Sequence, residues 1–258
     1  MEKQLTELAA RAPLAGKVAV VTGASRGLGK RTCEAFIRAG AQVAMLARLA
    51  PALESAAAEL GPAAKAWATD IGDPGAVRRA FEAISRTFGG VDILINNAAL
   101  GHLQPIEEAD DALLQQEINT NLLGPIYCIR SAIPLMRSRG GGDIVSITSE
   151  SVRMPYPFLT VYAAAKSAVE TLSLGLSTEL RSTNIRVAVL RSGRLAESGF
   201  NQHWPEERRA RYREIVVQEG FYARSGEPIS PVITAQAIVD LVCLPRQARI
   251  PLMELSAS

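Results

Sequence analysis

The sequence predicts one α/β domain built on a doubly wound parallel β-sheet with helices on both faces. Short apolar runs alternate along the chain with longer segments of helical periodicity, and those runs are almost continuously apolar. Strands buried on both faces have this pattern, and crossover helices join them in parallel. Since no linker-like change of composition divides the 258 residues, we treat residues 1–258 as a single domain.

The predicted elements alternate in the order that such a sheet requires. Strands rich in Val and Ile are expected at residues 17–21, 42–46, 65–69, 91–95, 143–148 and 185–190. Helices are expected at residues 27–39, 51–60, 74–88, 110–138, with Pro134 near the end, and 161–181. Residues 249–255 read as a last strand, which Pro251 restricts to an edge or a bulge because proline lacks the N–H that a ladder needs.

Composition and charge argue against several classes of function. The net charge is +2 and basic residues are scattered, so no nucleic-acid partner is expected. No apolar run reaches the ~20 residues of a membrane-spanning helix, and the first residues lack the apolar block of a signal peptide. Cys33, Cys128 and Cys243 are far apart and odd in number, which suits reduced thiols. We therefore expect a cytoplasmic protein without a membrane partner.

A glycine-rich turn directly follows the first strand and directly precedes a helix. Its glycines permit a tight turn and a close approach of the backbone to a pyrophosphate at the positive N-terminus of the helix. Three glycines alone can form a merely structural turn, but the placement between strand and helix favours a dinucleotide site. The cofactor-binding residues expected here are Gly23, Ser25, Arg26, Gly27, Leu28 and Gly29.

The ends of the second and third strands bear on the identity of the cofactor. Ala47 stands where an acid would bind ribose hydroxyls in a site for NAD(H), and Arg48 follows it. Arg48 and Arg26 can converge on a 2′-phosphate, which favours NADP(H) over NAD(H), although each arginine alone is also typical of a solvated surface. Asp70, with Ile71 beside it, either accepts a bond from the adenine amino group or caps the helix near residue 74.

Tyr162 and Lys166 lie four residues apart in a helical segment, and Ser149 precedes them on another element. Residues four apart share a helix face, so the ammonium can lie beside the phenol and favour its ionised form. A serine hydroxyl would complete a polar pocket for a carbonyl oxygen. Each residue alone is commonly structural, but beside a dinucleotide turn they indicate proton transfer at a carbonyl.

In this order the motifs resemble those of the short-chain dehydrogenase/reductase superfamily in its compact form, over roughly residues 14–242. The matching motifs are the glycine turn, Asn96-Asn97-Ala98-Ala99, Asn121-Leu122-Leu123-Gly124, Ser149, and Tyr162 with Lys166. The resemblance implies a Rossmann-fold oxidoreductase that transfers a hydride between NADP(H), with NAD(H) as the alternative cofactor, and a small carbonyl or secondary alcohol substrate. It also implies a homodimer or homotetramer.

The resemblance further implies a role for each polar residue. Tyr162 would be the proton donor or acceptor, and Ser149 would hold the carbonyl oxygen. Lys166 would bind the nicotinamide ribose and, together with the oxidised ring, lower the pKa of Tyr162. Asn121 would distort its helix and support a water chain from Lys166, with Asn119 as the competing assignment. Asn96 would stabilise the sheet, and the cofactor would be bordered by Asn97, Ala98 and Ala99.

Two departures from the family pattern concern the cofactor. Ala99 replaces a glycine, and Ser192-Gly193 replaces Pro-Gly after the sixth strand. Gly193 and Leu195 are nevertheless expected at the cofactor, and Ser198 is the candidate for a residue that contacts the nicotinamide amide.

Two segments without family motifs are expected to form the substrate site. From residues 150–159, the apolar side chains expected to wall the pocket are Val152, Met154, Tyr156 and Phe158. Residues 194–230 are expected to form a substrate-covering loop and helix, whose aromatic residues are Phe200, Trp204, Tyr212, Phe221 and Tyr222. This aromatic content suggests a hydrophobic or aromatic ketone. The basic stretch Arg208, Arg209, Arg211 and Arg213 is either a solvated helix face or a clamp for an acidic substrate.

Metal catalysis is not expected, because His102 and His203 are the only histidines and no residues have ligand spacing. His102 lies either against the substrate or in a solvated loop. Two alternatives to an NADP(H)-dependent reductase stay open: an NAD-linked alcohol dehydrogenase, and a non-catalytic nucleotide-binding regulator on the same fold.

Overall fold

The computed structural model describes residues 12–196 and 199–256. Its strands are β1 (Val18–Thr22), β2 (Gln42–Ala47), β3 (Ala64–Ala68), β4 (Ile93–Asn96), β5 (Gly142–Ser149), β6 (Ile185–Ser192) and β7 (Leu252–Leu255). They form one parallel sheet in the order β3-β2-β1-β4-β5-β6-β7. The predicted doubly wound parallel sheet is confirmed, and each predicted strand segment is present.

The helices surround this sheet on both faces. They are α1 (Gly27–Arg38), α2 (Ala50–Leu60), α3 (Pro74–Phe88), α4 (Asp111–Ile118), α5 (Gly124–Ser138), α6 (Thr160–Glu179), α7 (Glu206–Gln218), α8 (Phe221–Ser225) and α9 (Pro231–Cys243). α9 is absent from the sequence-based prediction, although Ser230 caps it through the N–H of Val232 and Pro231 occupies its first turn. Among the described residues, no helix is long and apolar enough to cross a membrane.

The prediction of one continuous helix at residues 110–138 is wrong in one respect. A π turn, Asn119–Leu123, separates α4 from α5. Pro125 lies in the first turn of α5 and has no N–H, so it cannot make the backbone bond that would continue α4 in regular geometry. The interruption turns the side chain of Asn121 into the protein, where it is fully buried.

Two apolar cores sandwich the sheet. α1, α2 and α9 pack on one face, where the core includes Phe36, Met45, Leu53 and Ile238. α3, α5 and α6 pack on the other, where it includes Phe81, Ile84, Met136 and Ile144. Every residue of β1 and β4 is buried, which explains why these strands read as continuous apolar runs.

A buried ion pair fixes α6 against the sheet. Glu170 on α6 accepts two hydrogen bonds from Arg191 on β6, at 2.9 and 2.6 Å, and one from the Thr148 hydroxyl at 2.7 Å. Arg191 also reaches Glu254 on β7 at 2.9 Å. Three strands and the helix that carries Tyr162 and Lys166 are thereby tied together. β7 is the edge strand, and Pro251 precedes it directly, as its missing N–H requires.

The chain reverses its direction across the sheet between β1 and β4. These neighbours are parallel, but the connections that follow them lead to opposite faces of the sheet. In a doubly wound sheet this arrangement opens a crevice at the carboxyl ends of the strands, which is where ligands bind.

Candidate active site

A cleft of about 1040 Å³ opens at the carboxyl ends of the strands. Most of the predicted site residues line it: Gly23, Ser25, Arg26, Leu28, Gly29, Arg48, Asp70, Ile71, Asn97, Ala98, Ala99, Ser149, Tyr162, Lys166, Gly193 and Leu195. Two do not. Gly27 begins α1 with a φ of 53°, and Asn121 is buried in the π turn. Ser198 lies outside the described residues.

The glycine turn packs so closely that side chains are excluded. A Cβ on Gly29 would lie 2.2 Å from the carbonyl oxygen of Gly23, and one on Gly23 would lie 2.8 Å from the Cα of Ala98. Gly23 also has a φ of 66°, which other residues rarely adopt. The turn therefore presents bare backbone at the N-terminus of α1, as a pyrophosphate site needs.

The turn is held to the loop after β4 by one buried threonine. The Thr22 hydroxyl oxygen accepts the backbone N–H groups of Asn97 and Ala98, both at 3.0 Å. The side-chain amide of Asn97 in turn donates to the carbonyl of Thr22 at 2.9 Å. These bonds fix the two walls of the crevice relative to each other.

Tyr162 and Lys166 are both buried at the floor of the cleft. The ammonium of Lys166 donates to the carbonyl of Ile147 at 2.9 Å and lies 5.7 Å from the centroid of the Tyr162 ring. Burial lowers the pKa of Lys166 to about 8, since a charged amine is poorly solvated there.

Burial also raises the pKa of the Tyr162 phenol to about 12, while the Ser149 hydroxyl opposes this rise and the charges of Glu117 and Glu150 add to it. Lys166 was expected to lower this pKa in concert with an oxidised nicotinamide. That expectation stays a prediction for the cofactor-bound protein; in the protein alone, desolvation has the largest effect on the pKa of the phenol, and the Lys166 ammonium donates to the Ile147 carbonyl.

The two asparagines of the π turn point in different directions. Asn121 pairs with the backbone of Leu100, accepting from its N–H at 2.9 Å and donating to its carbonyl at 2.5 Å. Asn119 instead accepts from the side chain of Gln115 at 2.8 Å. Asn121 is thus the one that faces the loop beside the cleft.

One of the two interpretations of Asp70, as the cap of the next helix, is wrong. Asp70 lines the cleft and accepts from the N–H of Gly72 at 2.9 Å, but it does not cap the next helix. Asp73 is that cap, through the N–H of Gly75 at 2.7 Å. Arg48 is exposed at the end of β2, and Arg26 is hydrogen-bonded to the side chain of Gln202.

Aromatic side chains dominate the other end of the cleft. The Phe200 ring lies 5.0 Å from the Tyr162 ring, and Trp204 lies 5.6 Å from Phe200. Of the four apolar side chains expected at residues 152–158, only Tyr156 lines the cleft. Met154 and Phe158 pack behind it against the aromatic cluster, so their expected place in the wall is wrong, as is that of Val152.

The basic stretch on α7 serves structure and is absent from the cleft lining. Arg208 donates to the carbonyl of Leu103 at 2.9 Å, and Arg211 pairs with Glu108 at 3.0 Å. Arg209 and Arg213 both pair with Glu206. The interpretation of this stretch as a clamp for an acidic substrate is therefore wrong.

The sequence analysis assigns no role to three charged residues at or beside the cleft. Glu150 and Arg194 line the cleft, and the only available signal was that they directly follow Ser149 and Gly193. Glu117 lies one helical turn before Asn121, and its carboxylate accepts the backbone N–H of His102. Burial raises the pKa of Glu117 to about 7.

His102 and His203 contact each other beside the cleft. Their ring centroids are 5.0 Å apart, and His102 also contacts Gln116 at 3.2 Å. His102 is not part of the cleft lining, so it does not face a substrate there. In the described ranges, no group of three or more His, Cys, Asp or Glu side chains is arranged to hold a metal ion.

A dinucleotide cradle beside a buried Tyr/Lys pair defines a nicotinamide-dependent oxidoreductase on a Rossmann-type fold. The family model described as short chain dehydrogenase matches residues 17–209. Oxidoreductase asL5 of Sarocladium schorii is 33% identical over 224 residues, covering 82% of this chain and 90% of the relative. The chain belongs to the short-chain dehydrogenase/reductase superfamily.

Solved structures agree with this assignment. A serine dehydrogenase complexed with NADP+ superposes with a TM-score of 0.82 and 26% identity, covering 93% of this chain and 94% of the other. The 3-ketoacyl-(acyl-carrier-protein) reductase from Brucella melitensis, complexed with NADH, has a TM-score of 0.81 and 30% identity, covering 94% and 98%.

The close packing of the glycine turn predicts that Gly29→Ala destabilises the protein. The new methyl group would overlap the Gly23 carbonyl, and overpacking of this kind costs about 1–3 kcal/mol. Gly175→Ala is the matched control: that helical glycine has open space around it, so alanine should stabilise by up to about 1 kcal/mol. Urea unfolding measures both. Equal effects of the two variants would contradict the proposed packing.

The buried carboxyl of Glu117 predicts a pH-dependent stability. The pKa of Glu117 is about 7 in the folded state and lower in the unfolded state. The contribution of the protonated carboxyl to the free energy of unfolding is therefore complete below about pH 4.3 and is lost as the pH rises through about 7. Glu117→Gln cannot ionise. The Tm of the variant minus that of wild type should therefore become more positive between about pH 5 and about pH 8. The exposed Glu54→Gln is the control, and a flat difference for Glu117→Gln would refute the prediction.

Proposed function

We propose that the protein is an NADP(H)-dependent reductase of a carbonyl compound, or a dehydrogenase of the corresponding secondary alcohol. The observation that carries the proposal is the meeting of Ser149, Tyr162 and Lys166 at one cleft with the glycine turn. Membership of the superfamily supports the reaction class. The substrate would enter beneath the segment at residues 194–230, whose described part supplies Phe200, Trp204 and Tyr212 to the cleft.

The residues present fit a nicotinamide dinucleotide. The side-chain-free turn at Gly23 and Gly29 leaves room for a pyrophosphate, and a cleft of about 1040 Å³ has the size of a cofactor site. Asp70, Ile71, Asn97, Ala98, Ala99, Gly193 and Leu195 would border the remaining parts of the cofactor. When bound, NADPH supplies the hydride that reduces the carbonyl carbon.

The preference for NADP(H) rests on two arginines. Arg26 and Arg48 line the same cleft, and Ala47 contributes no carboxylate that would repel a 2′-phosphate. The serine dehydrogenase structure contains NADP+ and the ketoacyl reductase structure contains NADH, so the fold alone does not decide between them. An NAD-linked alcohol dehydrogenase is the alternative.

The site residues would divide the chemistry among them. Ser149 would hold the substrate oxygen near Tyr162, which would give that oxygen a proton as the carbonyl is reduced. Because the pKa of Tyr162 is about 12, the phenol is protonated at neutral pH and is ready to act as the acid. The Lys166 ammonium would bind ribose hydroxyls, and Asn121 would support its link to solvent through the loop at Leu100.

Assembly and location are part of the proposal. A homodimer or homotetramer would pair α5 and α6 of neighbouring subunits, since small residues on α6 such as Ala164 and Ala168 permit close helix approach. The isolated cysteines, of which Cys33 and Cys128 are buried, suit a reducing cytoplasm.

The proposal predicts that Tyr162→Phe lowers kcat/KM for NADPH-dependent ketone reduction at least about 100-fold, because the general acid is removed. Tyr127→Phe removes a hydroxyl from α5, outside the cleft, and should leave the rate unchanged. The measurement is NADPH consumption with a panel of ketones. Equal rates for wild type and Tyr162→Phe would remove the role assigned to Tyr162, and no turnover with any ketone would favour a non-catalytic nucleotide-binding regulator.

The cofactor preference predicts that Arg48→Ala weakens NADPH binding about tenfold or more and leaves NADH binding unchanged, since only NADPH has the 2′-phosphate. The control is Arg78→Ala, an exposed arginine on α3 outside the cleft. Calorimetric titration of each variant with both cofactors gives the ratio of affinities. An unchanged ratio in Arg48→Ala would remove the role assigned to Arg48.

A further inference from the structure

Among the described residues, the Arg194 guanidinium has no carboxylate partner, and Arg26 and Arg48, which have none either, are assigned above to the cofactor. Arg194 lies two residues beyond the end of β6 and lines the cleft. In the part of the chain that the structure describes, no carboxylate oxygen lies within 4.0 Å of it, whereas Arg191, Arg209, Arg211 and Arg213 all have such partners. Its Cζ lies 4.5 Å from the centroid of the Tyr222 ring. Stacking fixes the plane of the guanidinium and leaves its N–H groups free to donate.

The nearest acid is committed elsewhere. The carboxylate of Glu150 accepts the Tyr156 hydroxyl at 2.7 Å. Burial raises the pKa of Glu150, while the Tyr156 hydroxyl and the charge of Arg194 oppose this rise. The Tyr212 phenol faces the same group of residues and has no hydrogen-bond partner among the described ones. The cleft therefore offers a cation and a phenol donor together.

Arg194 follows the strand that pairs with the strand of Ser149. Ser149 and Ser192 are register partners on the neighbouring strands β5 and β6, which places their backbones about 4.8 Å apart. A Cβ on Gly193 would lie 3.5 Å from a carboxylate oxygen of Glu150, so the chain segments after the two strands run side by side. A group bound by Arg194 would therefore be only a few bonds away from a carbonyl held at Ser149 and Tyr162.

We propose that the substrate is an oxo acid, or the corresponding hydroxy acid, whose carboxylate is bound by Arg194. A guanidinium matches a carboxylate with two parallel charge-assisted hydrogen bonds, and Tyr212 would add a third donor. The apolar body of the acid would lie against Phe200 and Trp204, which line the same part of the cleft. This inference rests on the proposed function and assigns its substrate class.

The test compares 2-, 3- and 4-oxo acids with their methyl esters, using the full chain and NADPH. In wild type, kcat/KM for the best acid should exceed that for its ester at least about tenfold, as expected for a charge-assisted pair. Arg194→Met should remove this preference, mainly through KM for the acid, and Arg194→Lys should retain part of it. The control is Arg153→Met, which removes an exposed partner of Glu254 outside the cleft.

Several results would overturn the assignment. One is an equal kcat/KM of the wild-type protein for acid and ester across the panel. Another is an equal loss of kcat/KM for acid and ester in Arg194→Met, which would indicate that Arg194 has a structural role. A second measurement does not depend on turnover. Benzoate should bind the NADP+ complex of the wild-type protein, and it should bind the NADP+ complex of Arg194→Met at least about tenfold more weakly. Tyr162-dependent reduction of neutral ketones without an acid preference would refute only this inference, whereas no reduction of any carbonyl compound would refute the proposed function itself.

Discussion

The buried hydroxyl of Thr22 is the contact on which the site depends. β1 and β4 are neighbours in the sheet, but the chain leaves them toward opposite faces, and nothing in parallel strand pairing fixes the segments beyond their ends. Thr22 does so by accepting the N–H groups of Asn97 and Ala98, and Asn97 returns a bond to the carbonyl of Thr22. Because Gly23 and Gly29 then fill the remaining space without side chains, the same contact sets the width of the crevice.

Burial of α6, which carries Tyr162 and Lys166, has a chemical consequence. α6 is held by the Glu170–Arg191 pair at one end of its inward face, and Lys166 is held by the carbonyl of Ile147 one turn earlier. Both contacts draw the helix onto the sheet, and the phenol of Tyr162 is desolvated as a result. Desolvation raises the pKa of the phenol and lowers that of the ammonium, so the protein groups favour a neutral tyrosine. The same packing that orders the site thus also sets the charge states of its two titratable groups.

The sequence predicts the features of this protein that depend on local pattern. Continuous apolar strands, the glycine turn and the spacing of Tyr162 and Lys166 each follow from a few adjacent residues. The π turn and the capping of α3 by Asp73 rather than Asp70 have local causes, but the sequence offers a continuous helix and two aspartates as equally good patterns. The contacts of Arg208 and Arg211 on α7 depend on neighbours distant in sequence. For Arg211 the deciding partner is Glu108, about a hundred positions away, and alternating charge on a helix cannot identify it. Arg194 illustrates the converse, since only the structure shows that it stacks on Tyr222 and that no carboxylate of the described residues lies within 4.0 Å of it.

The loop after β4 connects the catalytic helix region to the segment above the cleft. On the side of the π turn, the side chains of Asn121 and Glu117 accept the backbone N–H groups of Leu100 and His102. On the side of the segment at residues 199–230, the indole of Trp204 donates to the carbonyl of Gly101 at 2.6 Å, and His203 contacts the same oxygen at 3.0 Å. Gly101 has no side chain, and a Cβ there would lie 2.4 Å from the Phe200 ring that packs on Tyr162. The burial that raises the pKa of Tyr162 therefore includes a contribution from Phe200, and the position of that ring depends on a loop whose other face is fixed by the π turn.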